Sequence, residues 1–433
     1  MPVSIFWFRR DLRLENNAGL YYALKSGHPV LPVFIYDTNI LDDLEDKKDK
    51  RVCFIRDSLQ KIKQELEEIG STLYVLYGTP IDAFKKLLGE FDVHSVFTNE
   101  DYEPYAAQRD KEIEALLKKE NVSFNAFKDH VVFAKNEVLK KDNTPYTVFT
   151  PYSKTWKEKL EDSYLKSCPT RKYYSNFLKH TPKRFPSLES IGFEQVDYEV
   201  TEPKLDKSIV KDYHKTRDLP GMEGTTKLSV HLRFGTVSIR KVVHEAMNLN
   251  ETLLSEFIWR DFFQSILWHF PNTVTESFKP AYDNIKWRYA EKEFEAWCQG
   301  ETGYPIVDAG MRQLNETGWM HNRIRMVTAS FLCKHLLIDW RWGEAYFAKK
   351  LLDYDMAQNI GNWQWVAGSG VDAAPYFRIF NPYIQQKKFD PDNAYIDHWV
   401  PERNSSDYPK PIVEHEFARA RCLEVYKEGL GRK

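Results

Sequence analysis

The stretch from Asp353 to Pro382 reads DYDMAQNIGNWQWVAGSGVDAAPYFRIFNP. Two tryptophans, five amides and three carboxylates crowd into it, and Arg378 is its only cation. A solvated loop has no need of Trp363, Trp365, Tyr376, Phe377 and Phe380. A plain core helix would not carry Asp353, Asp355, Asn359, Asn362 and Gln364 among them. The mixture suits a cofactor pocket, which is mostly apolar with a few placed polar groups. A Gly-rich connection with buried aromatics is the plainer account, and the segments upstream decide between the two.

At 433 residues the chain exceeds the size at which a single core keeps growing, so two domains are expected. Lys and Arg number 61 against 63 Asp and Glu, a formal net charge of −2. That balance excludes a uniformly basic coat for nucleic acid but leaves room for a local basic face. The five cysteines are scattered without a C-x-x-C spacing, which argues against a disulfide framework or a structural zinc site and fits a reducing cytoplasm. No metal is expected. The N-terminus, MPVSIFWFRRDLRL, turns charged at Arg9, so neither a signal peptide nor a membrane span is predicted there. Ten of the twelve tryptophans follow residue 250, which points to different tasks for the two halves.

The first half alternates. Val3 to Phe8, Val30 to Tyr36, Leu73 to Tyr77 and Val96 to Thr98 are short apolar runs of strand length, and Arg51 to Ile69 and Ala106 to Lys119 repeat apolar residues at helical spacing between them. This predicts a doubly wound, Rossmann-like α/β domain with a parallel sheet over residues 1–130. No G-x-G-x-x-G follows the first strand, so a dinucleotide site of the usual Rossmann type is not expected. Residues 131–200 are rich in Pro and Lys with weak periodicity and read as an interdomain linker with short helices. Residues 201–433 read as an all-α domain, with Leu253 to Phe270, Phe294 to Cys298, Pro305 to Thr317 and Ile324 to Trp340 as its clearest helices.

Three motifs in this helical half carry chemistry. Tyr213 and Arg217 precede GTTKLSVHLRFG, Gly224 to Gly235, where Thr225, Thr226, Lys227 and Ser229 bring hydroxyls, an ammonium and helix-start N–H groups to a place that favours phosphate. By itself, Thr-Thr before a helix is more often a cap than a phosphate cradle. In SEFIWRDFFQSILWHF, Ser255 to Phe270, the residues Glu256, Trp259, Arg260 and Phe263 recur at three- and four-residue spacing and share one helix face. That face is a platform for a flat ligand or simply core. In TGYPIVDAGMRQLNETGWMHNRIRM, Thr302 to Met326, the residues Asn322, Arg323, Arg325 and Met326 line a helix start with donors for carboxylate or phosphate, or form its solvated end.

Together with FWFRRDLRL at Phe6 to Leu14 and with NWQW and DAAPYFRIFNP, these segments occur in family order from the first strand to about Pro401. The chain resembles the photolyase/cryptochrome flavoprotein family, and within it the class I cyclobutane pyrimidine dimer photolyases of bacterial type. The resemblance implies a U-shaped FAD, fully reduced when active, in the helical domain. Tyr213, Thr225, Thr226, Lys227, Leu228, Ser229, Arg260, Arg325, Asp353, Asp355 and Asn359 would surround it. Lys227 stands where arginine is common, which keeps the charge but not a bidentate fork. Asn359 matches the residue facing flavin N5, where an amide can donate or accept.

The resemblance further implies a DNA substrate containing a cyclobutane pyrimidine dimer, flipped out between Trp259 and Trp365. Glu256 and Asn322 would hydrogen-bond its bases and Met326 would touch it. Arg217, Arg323 and Arg378 would meet phosphate. Trp363, Trp340 and Trp287 match a tryptophan relay that reduces photoexcited flavin. The implied activity is a carbon–carbon lyase reaction, light-driven and without net redox change, in a cytoplasmic monomer. Tyr105 and Ala106 stand where folate-binding members carry Asn-Glu, which argues against a methenyltetrahydrofolate antenna; a deazaflavin, a second flavin or no antenna stay open. A (6-4) photolyase would carry histidines in place of Asn322 and Met326. The remaining alternative is a cryptochrome-type blue-light receptor with little or no repair activity.

Overall fold

The computed structural model describes Met1 to Arg432. The chain forms two compact units, each assembled from three separate segments. An α/β unit comprises Met1–Ala134, Lys159–Leu205 and Lys227–Glu245. A helical unit comprises Lys135–Glu158, Asp206–Thr226 and Ala246–Lys433. The stretch read as a linker therefore divides between the two units.

In the α/β unit five parallel strands, β1 (Val3–Phe8), β2 (Val30–Asp37), β3 (Tyr74–Gly78), β4 (Val93–Asn99) and β5 (Ser123–Phe127), lie in the order β3-β2-β1-β4-β5. β1 is central and every one of its residues is buried, as the unbroken apolar run VSIFWF requires of a strand covered on both faces. Helices Lys50–Glu68, Pro80–Glu90 and Pro104–Lys119 are among the crossovers. Thr79 caps the second of these by accepting from Asp82 N, and Pro80 fits the first turn, where no N–H partner is needed. The segment Lys227–Glu245 belongs here through ion pairs and a backbone bond. Arg240 donates to Asp129 at 2.8 Å, Arg233 donates to Glu103 at 3.1 Å, and Leu12 N donates to Phe234 O at 2.9 Å.

The helical unit is built on Glu251–His269, Glu291–Gln299, Pro305–Thr317, Asn322–Ser330, Trp340–Lys350 and Met356–Ala367, closed by His415–Gly429. Its core gathers Trp297, Met311, Leu314, Ile324, Leu332, Trp340 and Trp363, all nearly inaccessible. Two glycines set the close approaches. A Cβ on Gly343 would lie 2.1 Å from Trp363, and one on Gly361 would lie 2.3 Å from Phe263. Both helices can thus pack directly against an aromatic ring.

The single helix expected over Ile324 to Trp340 is broken. It runs as Asn322–Ser330, passes into a π-helical turn at Phe331–Leu336, and stops at Leu337, whose φ of 53° is left-handed. Asp339 then starts Trp340–Lys350 by accepting from Arg341 N. The break buries Lys334, whose ammonium donates to Ala367 O at 3.0 Å and to Tyr376 O at 3.4 Å and sits 3.8 Å from the Tyr426 ring. Burial pulls its pKa down to about 8. Tyr426 also donates to Ala367 O, at 3.0 Å. A cation and a hydroxyl so satisfy the last carbonyl of the Met356–Ala367 helix, where the macrodipole is negative.

Candidate functional site in the helical unit

The Glu251–His269 helix is started by Asn250, whose side-chain oxygen accepts from Thr252 N and Leu253 N. It presents Glu256 and Trp259 half-buried and Arg260 buried. Glu256 accepts from Arg217 Nη1. Burial raises the Glu256 pKa above the ordinary carboxylate range, Arg217 opposes that shift, and Asp218 adds to it. Gln264, at four-residue spacing beyond Arg260, donates to Asp355 Oδ1 at 2.9 Å. Gln358 Nε2 donates to Arg260 O at 2.9 Å. These bonds fix this helix to the start of Met356–Ala367.

On Asn322–Ser330, His321 is the cap and accepts from Arg323 N at 3.2 Å. Asn322 is exposed. Arg323 donates twice to Asp218 Oδ1, at 3.1 and 2.7 Å, its Nη1 lies 3.6 Å from Met326 Sδ, and its guanidinium stands 4.3 Å from the Phe389 ring. Arg325 donates to Met320 O at 2.8 Å and to Asp353 Oδ2 at 2.7 Å. Two of the three arginines assigned to DNA phosphate, Arg217 and Arg323, are thus held by carboxylates.

Asn359 is turned by a residue outside the sequence assignment. Its Nδ2 donates to Glu344 Oε1 at 2.9 Å and to Glu344 O at 3.2 Å. With the donor end of the amide engaged there, its carbonyl is the end that can receive a ligand N–H. Burial raises the Glu344 pKa, against the hydrogen bonds from Asn359 and Tyr354.

The two tryptophans assigned as walls differ. Trp259 is covered on one face by Phe149, with ring centroids 3.6 Å apart and planes 4° from parallel. Trp365 is half-buried, and the exposed Arg378 lies 5.8 Å from its ring. Of the tryptophans assigned to a relay, Trp363 and Trp340 are buried in one core cluster and Trp287 packs against it. Trp363 has Trp297 beside it at 6.2 Å, Trp340 carries the Arg341 cation at 4.7 Å, and Trp287 meets Tyr426 edge-on at 5.9 Å. Tyr213 is buried, and Thr225 and Thr226 are half-buried at the end of this unit's middle segment. Lys227, Leu228 and Ser229 open the last segment of the α/β unit, with Lys227 left-handed at φ 48°. In that same α/β unit Tyr105 donates to Asp37 at 2.6 Å.

Four residues beyond the sequence assignment join this neighbourhood: Phe149, Asp218, Gln264 and Glu344. Only Gln264 had a readable signal, the spacing that aligns it with Glu256 and Arg260.

Whether these residues suit FAD can be tested on their unmet polar atoms. Asp353 Oδ1 and Gln264 Oε1 are buried acceptors with no hydrogen-bond partner. Gln264 bonds Asp355, two residues from Asp353, so both belong to one polar neighbourhood. Buried acceptors left open are costly unless a ligand supplies donors, and the hydroxyls and ring N–H groups of FAD would do so. The residues fit. The fold and site define a two-unit flavoprotein, one unit helical and carrying the flavin site, the other a parallel α/β unit.

Comparison with known proteins agrees. Residues 253–406 match the family model described as the FAD binding domain of DNA photolyase, and residues 4–172 match that of DNA photolyase. The chain is 36% identical to a deoxyribodipyrimidine photo-lyase of Alkalihalophilus pseudofirmus, over 97% of each protein. Among solved structures it is similar to a bacterial class III photolyase from Agrobacterium tumefaciens, with a TM-score of 0.87 and 32% identity over 99% of this chain and 98% of that one. It is also similar to an archaeal photolyase from Sulfolobus tokodaii solved with two FAD molecules, with a TM-score of 0.81 and 33% identity over 98% and 99%. The chain belongs to the DNA photolyase family, and its helical unit carries that family's FAD-binding domain.

Proposed function

We propose that the protein is a light-dependent repair enzyme that splits cyclobutane pyrimidine dimers in DNA. One observation carries the reading. Glu256, half-buried and with its pKa raised, shares a helix with Trp259, and hydrogen bonds join that helix to the one bearing Asn359 and Trp365. A carboxyl whose pKa burial raises holds a proton to higher pH, and in that form it can donate a hydrogen bond to a base carbonyl as negative charge develops there.

FAD, when bound and reduced, supplies the light-driven electron that opens the cyclobutane ring and receives it back. The chain's residues hold and orient. Asp353, Asp355 and Gln264 accept from the cofactor, Tyr213, Thr225, Thr226, Lys227, Leu228 and Ser229 hold its phosphates, and Asn359 accepts a ring N–H. Arg260 and Arg325 add charge beside it. Trp259 and Trp365 receive the flipped dimer, recovering part of the unstacking cost. Asn322 and Met326 touch it, and Arg217, Arg323 and Arg378 reach the flanking phosphates. Trp363, Trp340 and Trp287 pass electrons inward that keep the cofactor reduced.

All these residues come from one chain, so a monomer suffices. Five free cysteines fit a reducing cytoplasm. Among the described residues no helix is long and apolar enough to cross a membrane.

The test is direct. The purified, reduced protein is mixed with dimer-containing oligothymidylate and the recovery of thymine absorbance is followed with and without near-UV or blue light. Recovery in light alone is expected. No recovery with reduced flavin bound would overturn repair in favour of a light-sensing role.

A further inference from the structure

The residues 135–158, which read as linker, place an aromatic ring on the substrate wall. The Phe149–Lys159 helix presents Phe149, Tyr152 and Trp156 at three- and four-residue spacing, hence on one face. That face is bolted to the Glu251–His269 helix. Trp156 Nε1 donates to the buried Asp261 Oδ2 at 3.0 Å, and the Tyr152 ring packs 5.1 Å from Phe262. Phe149 N donates to Asp372 Oδ2 at 3.2 Å. Tyr152, Trp156 and Asp261 are all essentially inaccessible, whereas Phe149 and Trp259 at the end of the face are half-buried.

The resulting stack is unusual in its geometry. Aromatic pairs left to themselves prefer offset or edge-to-face arrangements, because face-to-face overlap brings like quadrupoles together. The Phe149 and Trp259 rings nevertheless overlap at 3.6 Å and 4°. The anchors at Tyr152, Trp156 and the Phe149 backbone hold that arrangement against the preference of the rings. An indole so clamped has its plane fixed and the face under Phe149 closed, and Phe263 lies near-parallel to it as well, at 5.5 Å and 28°.

Resting on the repair function above, we propose that Phe149 is a positioning residue of the dimer wall: by clamping Trp259 it closes one indole face to ordinary bases and fixes the other for the dimer. The chemistry of the two ligands makes this selective. An ordinary base is flat and stacks on any free aromatic face. A dimer has saturated, puckered ring carbons and gains from a wall set at one angle rather than from an open face. Closing a face therefore penalises undamaged strands more than damaged ones, and specificity is that difference.

The experiment compares the FAD-loaded wild type with Phe149→Ala, Phe149→Leu and Phe149→Tyr. Dissociation constants are measured for one oligothymidylate with and without a dimer, together with repair per photon at saturating substrate. Removing the ring is expected to lower the ratio of the two constants about tenfold, or ~1.4 kcal/mol. Phe149→Tyr keeps the ring and is expected to restore the ratio to within about twofold. Phe149→Leu preserves bulk without a flat face and carries the test should the alanine variant fail to fold. A ratio in the leucine variant equal to wild type overturns the proposal. So does an equal loss of affinity for both strands, which would mark a structural role. A wild type that neither discriminates nor repairs overturns the repair function itself, a result these variants cannot mimic.

Discussion

Glu256 stands between two influences, burial that favours its neutral form and Arg217 that favours its charged form, and burial is the larger. Its pKa is therefore raised, so the protonated, hydrogen-bond-donating carboxyl persists to a higher pH than an ordinary glutamate allows. If that proton serves the dimer, repair per photon is highest at low pH and falls as pH rises through the raised value. Glu256→Gln keeps a donor at every pH and should flatten this dependence while retaining most of the low-pH yield. Glu256→Ala should lower the yield at all pH values about tenfold or more, with FAD still bound. Photon-normalised repair measured upward from pH 4.5 decides the matter, and parallel profiles for wild type and the glutamine variant would remove Glu256 from the proton's path.

Between elements, the contacts that matter are those that leave no room. A methyl on Gly361 meets Phe263 at 2.3 Å, so Gly361→Ala must push the Met356–Ala367 helix off the Glu251–His269 helix. Overpacking of this kind costs roughly 1–3 kcal/mol, read as a lower urea midpoint with an unchanged slope. The closing helix His415–Gly429 is pinned differently. His335, buried in the π-helical turn, has its Nε2 2.8 Å from His415 Nδ1. Burial, then His415 and Arg421, pull the His335 pKa down to about 3 from 6.5. The unfolded chain takes up a proton near 6.5 that the folded chain refuses, so this contribution is complete above 6.5 and is lost as pH falls towards 3. His335→Gln keeps a polar partner without titrating and should lose less stability between pH 7 and 5 than wild type; an equal loss would assign acid sensitivity to other groups. The break that creates this turn was not legible in the sequence, because a left-handed Leu337 follows from packing and not from any local signal. β5 was missed for a related reason. Its residues SFNAF lie on a sheet edge, none fully buried, so the apolar run that betrays β1 is absent. The helices at Ala18–Leu24 and Pro80–Glu90 could have been read from their Asn17 and Thr79-Pro80 caps. Phe149, Asp218 and Glu344 could not, because each acquires its meaning only from a partner remote in sequence: Trp259, Arg323 and Asn359.

Over the whole molecule, a net charge of −2 gives no long-range attraction to a polyanion, so any affinity for DNA must come from a few local cations. Two of them, Arg217 and Arg323, are paired with Glu256 and Asp218 in the free protein. Phosphate must compete with those carboxylates. Arg323 is the cleaner case, since Asp218 is the more exposed partner at 38% and lies outside the residues assigned to the dimer. Asp218→Asn removes the competing charge and leaves the guanidinium free for phosphate. The expected result is tighter binding of every DNA, damaged or not, and a log–log salt slope steeper by about 0.9 on duplex, the increment for one more phosphate neutralised. Arg323→Ala should do the reverse, making the slope shallower by a similar amount and weakening both substrates alike, because a phosphate contact carries no information about damage. Dissociation constants at four or five salt concentrations give both slopes. If neither variant moves its slope, Arg323 is a structural cation stacked on Phe389, and the basic face for DNA lies elsewhere on the molecule.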